Sequence, residues 1–105
     1  MLIMNLPFGV TNWAKVAGEE HRCTTGVATW CTRQFGPVRM RMVDYRSDYL
    51  ADHWCQKGHI PLVTAGELAD GRVFTLTPGM SYQVADSAEA HRSRSVGGTK
   101  LFIID

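Results

Sequence analysis

From Thr24 onward, apolar and polar positions alternate with a period of two, and helical periodicity is almost absent. Gly26–Arg33 is rich in β-branched and aromatic residues, so it reads as a strand. After the Gly36-Pro37 break, Val38, Met40 and Met42 alternate with Arg39 and Arg41 up to Tyr45. The two runs predict a hairpin or meander, with the Met face of the second strand turned inward and the Arg face toward water. Arg46-Ser47-Asp48 is a turn, Tyr49–Cys55 a further strand, and Ile60–Ala65 a short strand whose Pro61 suggests an edge or irregular start. Ala69-Asp70-Gly71 is a hairpin signal, Arg72–Leu76 alternates again, and Thr77-Pro78-Gly79 turns the chain before Ser81–Val84. Asp86–Ala90 reads as a loop, His91–Ser95 as a strand, Gly97-Gly98 as a turn and Lys100–Ile104 as a closing apolar strand. Ahead of this, Met1–Phe8 forms an apolar arm or edge strand, Thr11–Val16 a capped helical turn, and Gly18–Arg22 a loop with a solvated His21. Many short strands with frequent Gly and Pro turns predict an all-β sandwich or barrel.

Composition narrows what such a barrel can do. At 105 residues the chain has the size of one domain, and 45% apolar with 20% charged residues is ordinary for a globular protein. The net charge of +1 and the scattered arginines give no basis for binding nucleic acid or an anionic membrane. No apolar run is long enough to span a bilayer, and Met1–Val10 lacks the basic start of a signal peptide. An odd count of three cysteines excludes a complete internal disulfide framework, so free thiols in a cytoplasmic protein are expected. Cys31 lies in a strand and reads as packing, whereas Cys23 reads as an incidental surface thiol.

Coordinating chemistry gathers in Asp52-His53-Trp54-Cys55-Gln56-Lys57-Gly58-His59. On an extended strand His53 and Cys55 leave the same face, while Asp52 and Trp54 leave the other. Gly58 allows a sharp turn that can bring His59 toward them. Two imidazoles and a thiolate are ligands that late first-row metals prefer.

These residues and their spacing resemble the cupins, small β-barrels of jelly-roll type. His53, Cys55 and His59 fall where the first cupin motif has His, His and Glu, with Gly66 closing that run. Gly71 and Leu76-Thr77-Pro78-Gly79 are similar to the start of the second motif, and His91 corresponds to its histidine. The Asp-His-Trp-Cys run, Thr32–Gly36 and Gly71–Asp86 are similar to short bacterial proteins called DHCW-motif cupins. Two ligand types depart from the general pattern, His to Cys and Glu to His. In addition, only Glu67–Asp70 separate Gly66 from Gly71.

The resemblance implies one cupin-type jelly-roll domain over residues 1–105, with an arm or edge region at 1–23 and the barrel at 24–105. It implies a site of His53, Cys55, His59 and His91 holding one divalent transition metal, whether zinc, iron, nickel, cobalt or copper. The absence of carboxylates argues against Mg2+, Ca2+ and Mn2+. Four bound ligands would make a closed tetrahedral site; three histidines with Cys55 set back would leave positions open. Met80 and Tyr82 would line the barrel mouth or pack in the core. Two functions follow from the resemblance: a metal-dependent oxygenase acting on a small organic substrate, or a non-catalytic module that binds a small molecule or metal. A homodimer formed through the Met1–Phe8 arm is the implied assembly.

Overall fold

The computed structural model describes residues 3, 5–51, 54–70, 74–88 and 90–105. Among them the regular structure is almost entirely antiparallel β, with one short 3-10 turn at Trp13–Lys15. The side chain of Asn12 caps that turn by accepting the Ala14 N–H at 3.2 Å.

Nine strands build two sheets: β1 (Gly18–Arg22), β2 (Val27–Phe35), β3 (Val38–Tyr45), β4 (Tyr49–Leu50), β5 (Ile60–Gly66), β6 (Leu68–Asp70), β7 (Thr75–Leu76), β8 (Ser93–Ser95) and β9 (Thr99–Ile104). The larger sheet has the order β1-β2-β3-β9-β5 and the smaller β4-β8-β6-β7. Strands distant in sequence pair in both sheets, as β3 does with β9 and β4 with β8, which is the jelly-roll arrangement. Isolated bridges Cys55↔His91, His59↔Val84 and Leu62↔Ser81 tie the intervening segments together.

The core lies between the sheets. Ala28, Val43, Val63, Leu101 and Ile103 come from the larger sheet and meet Tyr49, Leu68 and Leu76 from the smaller. Each fully buried Leu contributes about 1.5–3 kcal/mol relative to an exposed one. Tyr45 and Tyr49 stack across the sheets at 3.9 Å.

The Gly36-Pro37 hairpin forms as its sequence predicts, with Phe35 opposite Val38. The facing of β3 is the reverse of the expectation. Arg41, Val43 and Tyr45 are buried, so the Arg face points into the barrel and Met40 and Met42 lie on the outer face. Alternation identifies two faces but not which is inner. Here a carboxylate just past the end of β9 decides it, since Asp105 accepts hydrogen bonds from Arg39 and Arg41 at 2.7–2.9 Å inside the barrel. Outside, Met42 is paired with Phe102, on which Trp13 packs edge-on at 6.0 Å.

Gly18–Arg22 is also not a loop. It is the edge strand β1, and His21 stacks on Trp30 at 3.8 Å instead of standing in solvent. Cys23 is half-buried against the core, with Sγ 3.5 Å from the Tyr49 hydroxyl, so it is not a surface thiol.

The connection from β5 to β6 is a single residue, Glu67. Gly66 makes it possible, because its φ is +78° and a Cβ there would collide with the Gly98 carbonyl oxygen. The short interval between Gly66 and Gly71 is therefore a direct crossing from one sheet to the other.

Candidate functional site

Three segments meet at one end of the barrel. The backbone of Cys55 and that of His91 exchange both hydrogen bonds, at 2.6 and 2.9 Å. His59 pairs with Val84 in the same reciprocal way, at 3.0 and 3.1 Å, just before β5 begins. Tyr82 is anchored by its N–H to the Pro61 carbonyl at 3.3 Å. Gly58 precedes His59 at a point where residues 84–86 pass so close that a Cβ would lie 2.6 Å from the Asp86 nitrogen. Its N–H instead donates to the Asp86 carboxylate at 2.7 Å. Glycine here serves close backbone approach, which holds His59 against the Tyr82–Val84 segment.

The side chains converge accordingly. The His59 and His91 rings lie 4.5 Å apart, and the Tyr82 ring lies 5.5 and 5.9 Å from them. His91 is buried and His59 half-buried. His59 Nε2 and the Tyr82 hydroxyl form a hydrogen bond of 2.8 Å. Burial pushes the His59 pKa down to about 4, helped by the neighbouring His91 and partly opposed by Asp105. The imidazole is therefore neutral at physiological pH, the form in which it can bind a metal.

Cys55 is half-buried, and its sulfur accepts the Lys57 N–H at 3.4 Å. His53 and Asp52 lie outside the described residues, and so does Gly71. Trp54 is about half exposed, at 46%. Met80 is also largely exposed, and its sulfur accepts from the Thr77 backbone and hydroxyl at 3.5 and 3.3 Å, capping the turn.

Of the four candidate ligands, the fold brings the His59 and His91 rings together and bridges Cys55 to His91 through the backbone. Among the described residues no group of three His, Cys, Asp or Glu side chains is close enough to hold a metal ion. The donor chemistry, two imidazole nitrogens and a sulfur, fits a late first-row metal.

A cluster that motif spacing does not indicate stands next to these rings. Asp105, with its side chain 1% exposed, receives a bidentate pair from Arg39 at 2.7 Å and a third bond from Arg41 at 2.9 Å. Desolvation pushes the Asp105 carboxyl upward, but the Arg39 hydrogen bonds and the two guanidinium charges outweigh it and leave the pKa lowered. A cavity of about 530 Å3 opens at the rim beside His59 and Asp105, walled by Ile3, Leu6, Met40 and Ile104.

The fold matches solved structures over nearly its whole length. An RmlC-like cupin from Shewanella frigidimarina is 17% identical, with 96% of this chain and 92% of that one covered and a TM-score of 0.73. A protein from Thermotoga maritima titled a predicted oxalate decarboxylase is 12% identical, covering 91% and 96%, with a TM-score of 0.75. The ectoine synthase of P. lautus is 15% identical, covering 92% and 76%, with a TM-score of 0.69. No protein-family model matches the sequence, and no curated protein matches it. The class is thereby defined: the chain has the cupin jelly-roll fold.

Proposed function

We propose that the chain is a DHCW-type cupin of one domain that holds a single transition metal through His53, Cys55, His59 and His91 and receives a small organic molecule beside it. The observation that carries this reading is the pair of facing imidazoles, His59 and His91, one of them held neutral by burial. Bringing together two histidines 32 positions apart in sequence requires the barrel to close around them. Metal at this place would supply a Lewis acid and, if it is iron, a redox centre for an oxygenase. The chain's own residues supply the rest. Tyr82 fixes the ring plane and tautomer of His59 through its hydroxyl. The paired backbones of Cys55 and His91 keep those two residues in register. The neutral His59 imidazole is ready to bind without first releasing a proton.

We also assign the protein to the cytoplasm and to a homodimer. The outer face of the larger sheet supports the dimer: Ile60 and Leu62 are about 40% exposed there, and Phe8 of the arm is fully exposed. Exposed apolar side chains on one sheet face are the kind of surface that subunit contacts cover. No helix among the described residues is long and apolar enough to cross a membrane.

The test is cobalt substitution. Protein freed of metal and titrated with Co2+ should develop visible absorption that saturates at one equivalent. His59→Ala and His91→Ala should abolish it. A thiolate charge-transfer band that vanishes in Cys55→Ser would place the sulfur on the metal, whereas its absence in wild type would set Cys55 back. No absorption change in wild type would exclude the site. Oxygen uptake with candidate substrates then separates an oxygenase from a binding module.

A further inference from the structure

The floor of the 530 Å3 rim cavity belongs to the outside of the barrel. Met40, Ile104 and Ile60 stand side by side in register on β3, β9 and β5, and all three line the cavity. Their chain neighbours Arg41, Ile103 and Pro61 are buried inward, so alternation turns this row to the outer face. Ile3 and Leu6 of the arm also line the space, which is therefore bounded by the sheet and by the chain's own arm. The place that a partner's strand would take on this row is occupied from within the chain. What is left has the size of a small-molecule site, about 300–1,000 Å3.

These aliphatic walls carry open charge at one place. No Lys or Arg lines the cavity, and of its two carboxylates that of Asp105 is turned into the barrel and held by Arg39 and Arg41. Asp86 is the other, and it is exposed. Its Oδ1 accepts the Gly58 N–H at 2.7 Å, and it has no ion-pair partner among the described residues. The close passage of residues 84–86 by Gly58 fixes that carboxylate beside the cavity. Lys57 is exposed and does not line the space. An apolar pocket with one open carboxylate at its edge complements a cation that has an apolar body.

We propose that the rim cavity binds a small alkylammonium, its chain lying on the Met40–Ile104–Ile60 row against the arm and its ammonium at Asp86. The site needs no metal. Tested on metal-free protein, it stands or falls separately from the metal reading.

The full chain, treated with chelator and kept reduced, is titrated with butylammonium and hexylammonium. Hexanol serves as the neutral isostere and hexanoate as the anion, while the isoleucine methyl resonances are followed in 13C spectra. Hexylammonium should bind saturably and shift the Ile60 and Ile104 methyls, each methylene added between butyl and hexyl tightening it about fourfold. Hexanol should bind about threefold more weakly and hexanoate more weakly still, the preference that one exposed charge pair supplies. Asp86→Asn keeps an oxygen for the Gly58 N–H and should bring hexylammonium down to the hexanol level. Leu6→Ser, a change in the arm, should weaken hexylammonium and hexanol alike, about threefold or more.

No saturable shift up to about 10 mM, equal affinity for butyl and hexyl chains, or hexanol bound as tightly as hexylammonium would overturn the proposal. So would an unchanged preference in Asp86→Asn, or Ile60 and Ile104 methyls unmoved at saturation. Affinity that falls as protein concentration rises and recovers in Phe8→Ala would also overturn it, because a second copy's arm would then be the occupant. Should Asp86→Asn fail to fold, the comparison of the four ligands on the unmodified protein still decides.

Discussion

Replacing Asp105 with Asn tests the internal charge cluster that sets the facing of β3. The carboxylate is 1% exposed and accepts three charge-assisted hydrogen bonds of 2.7–2.9 Å. An amide keeps the shape, but one of its ends is a donor and must face a guanidinium. The two arginines then lose their shared counter-charge. Breaking a buried pair by removing one partner costs about 3–5 kcal/mol. Arg39 is partly solvated, which places the expected loss near the lower end, about 3 kcal/mol. Set against a total stability of about 5–15 kcal/mol, the variant should remain folded but unfold at markedly lower urea. Equilibrium urea unfolding followed by tryptophan fluorescence reads the difference. The gap should also depend on pH with a definite sign. Because the folded carboxyl pKa is lowered, its stabilisation is present above the ordinary value of 3.8 and is lost as pH falls through the folded value. Wild type and variant should therefore converge in acid. A gap below about 1 kcal/mol at pH 7, or one unchanged at pH 2.5, would refute the reasoning, since exposed pairs contribute no more than that.

Other outcomes follow from single contacts. In metal-free protein the lowered His59 pKa means that stability is greatest above about pH 6.5 and declines as pH falls toward 4, because the unfolded chain takes up the proton first. The loss should be about 2 kcal/mol after allowance for partial solvation, and thermal melts of His59→Asn should show a flatter profile. Gly66→Ala should destabilise by more than about 1 kcal/mol, since it forces a positive φ and a collision with the Gly98 carbonyl; chemical denaturation checks it. Tyr82→Phe should cost about 1 kcal/mol through the lost 2.8 Å bond to His59, and should free Nε2, visible as a changed tautomer in 15N spectra.

How far the sequence reveals this molecule depends on the range of each determinant. Alternation and turn residues are local, so the Gly36-Pro37 hairpin, the Thr77-Pro78-Gly79 turn and the closing strand can be read directly. The orientation of β3 is not local. Met40 and Met42 are the more apolar row, yet Asp105, more than sixty residues away, draws Arg39 and Arg41 inward. His21 misleads for the same reason, since its charged neighbours hide a stacking partner on the next strand, Trp30. Among the described residues of the strand expected over Tyr49–Cys55, Tyr49–Leu50 pair with the short β8 and Cys55 forms an isolated bridge to His91. At the site, motif spacing leads to His59, whereas His91 stands out as the one histidine after the Pro78-Gly79 turn, at a longer interval than the motif's. The Tyr82 hydroxyl bond and the arginine cluster require three dimensions.

Metal content tests the central claim most directly. Tag-free protein, purified and then reconstituted with a mixture of divalent Zn, Fe, Ni, Co and Cu under reducing conditions, is passed through a desalting column and analysed by elemental mass spectrometry. The account predicts about one equivalent of one transition metal per chain, falling to background when His59 and His91 are both replaced by Ala. Less than about a tenth of an equivalent in wild type, or undiminished metal in the double variant, would contradict it.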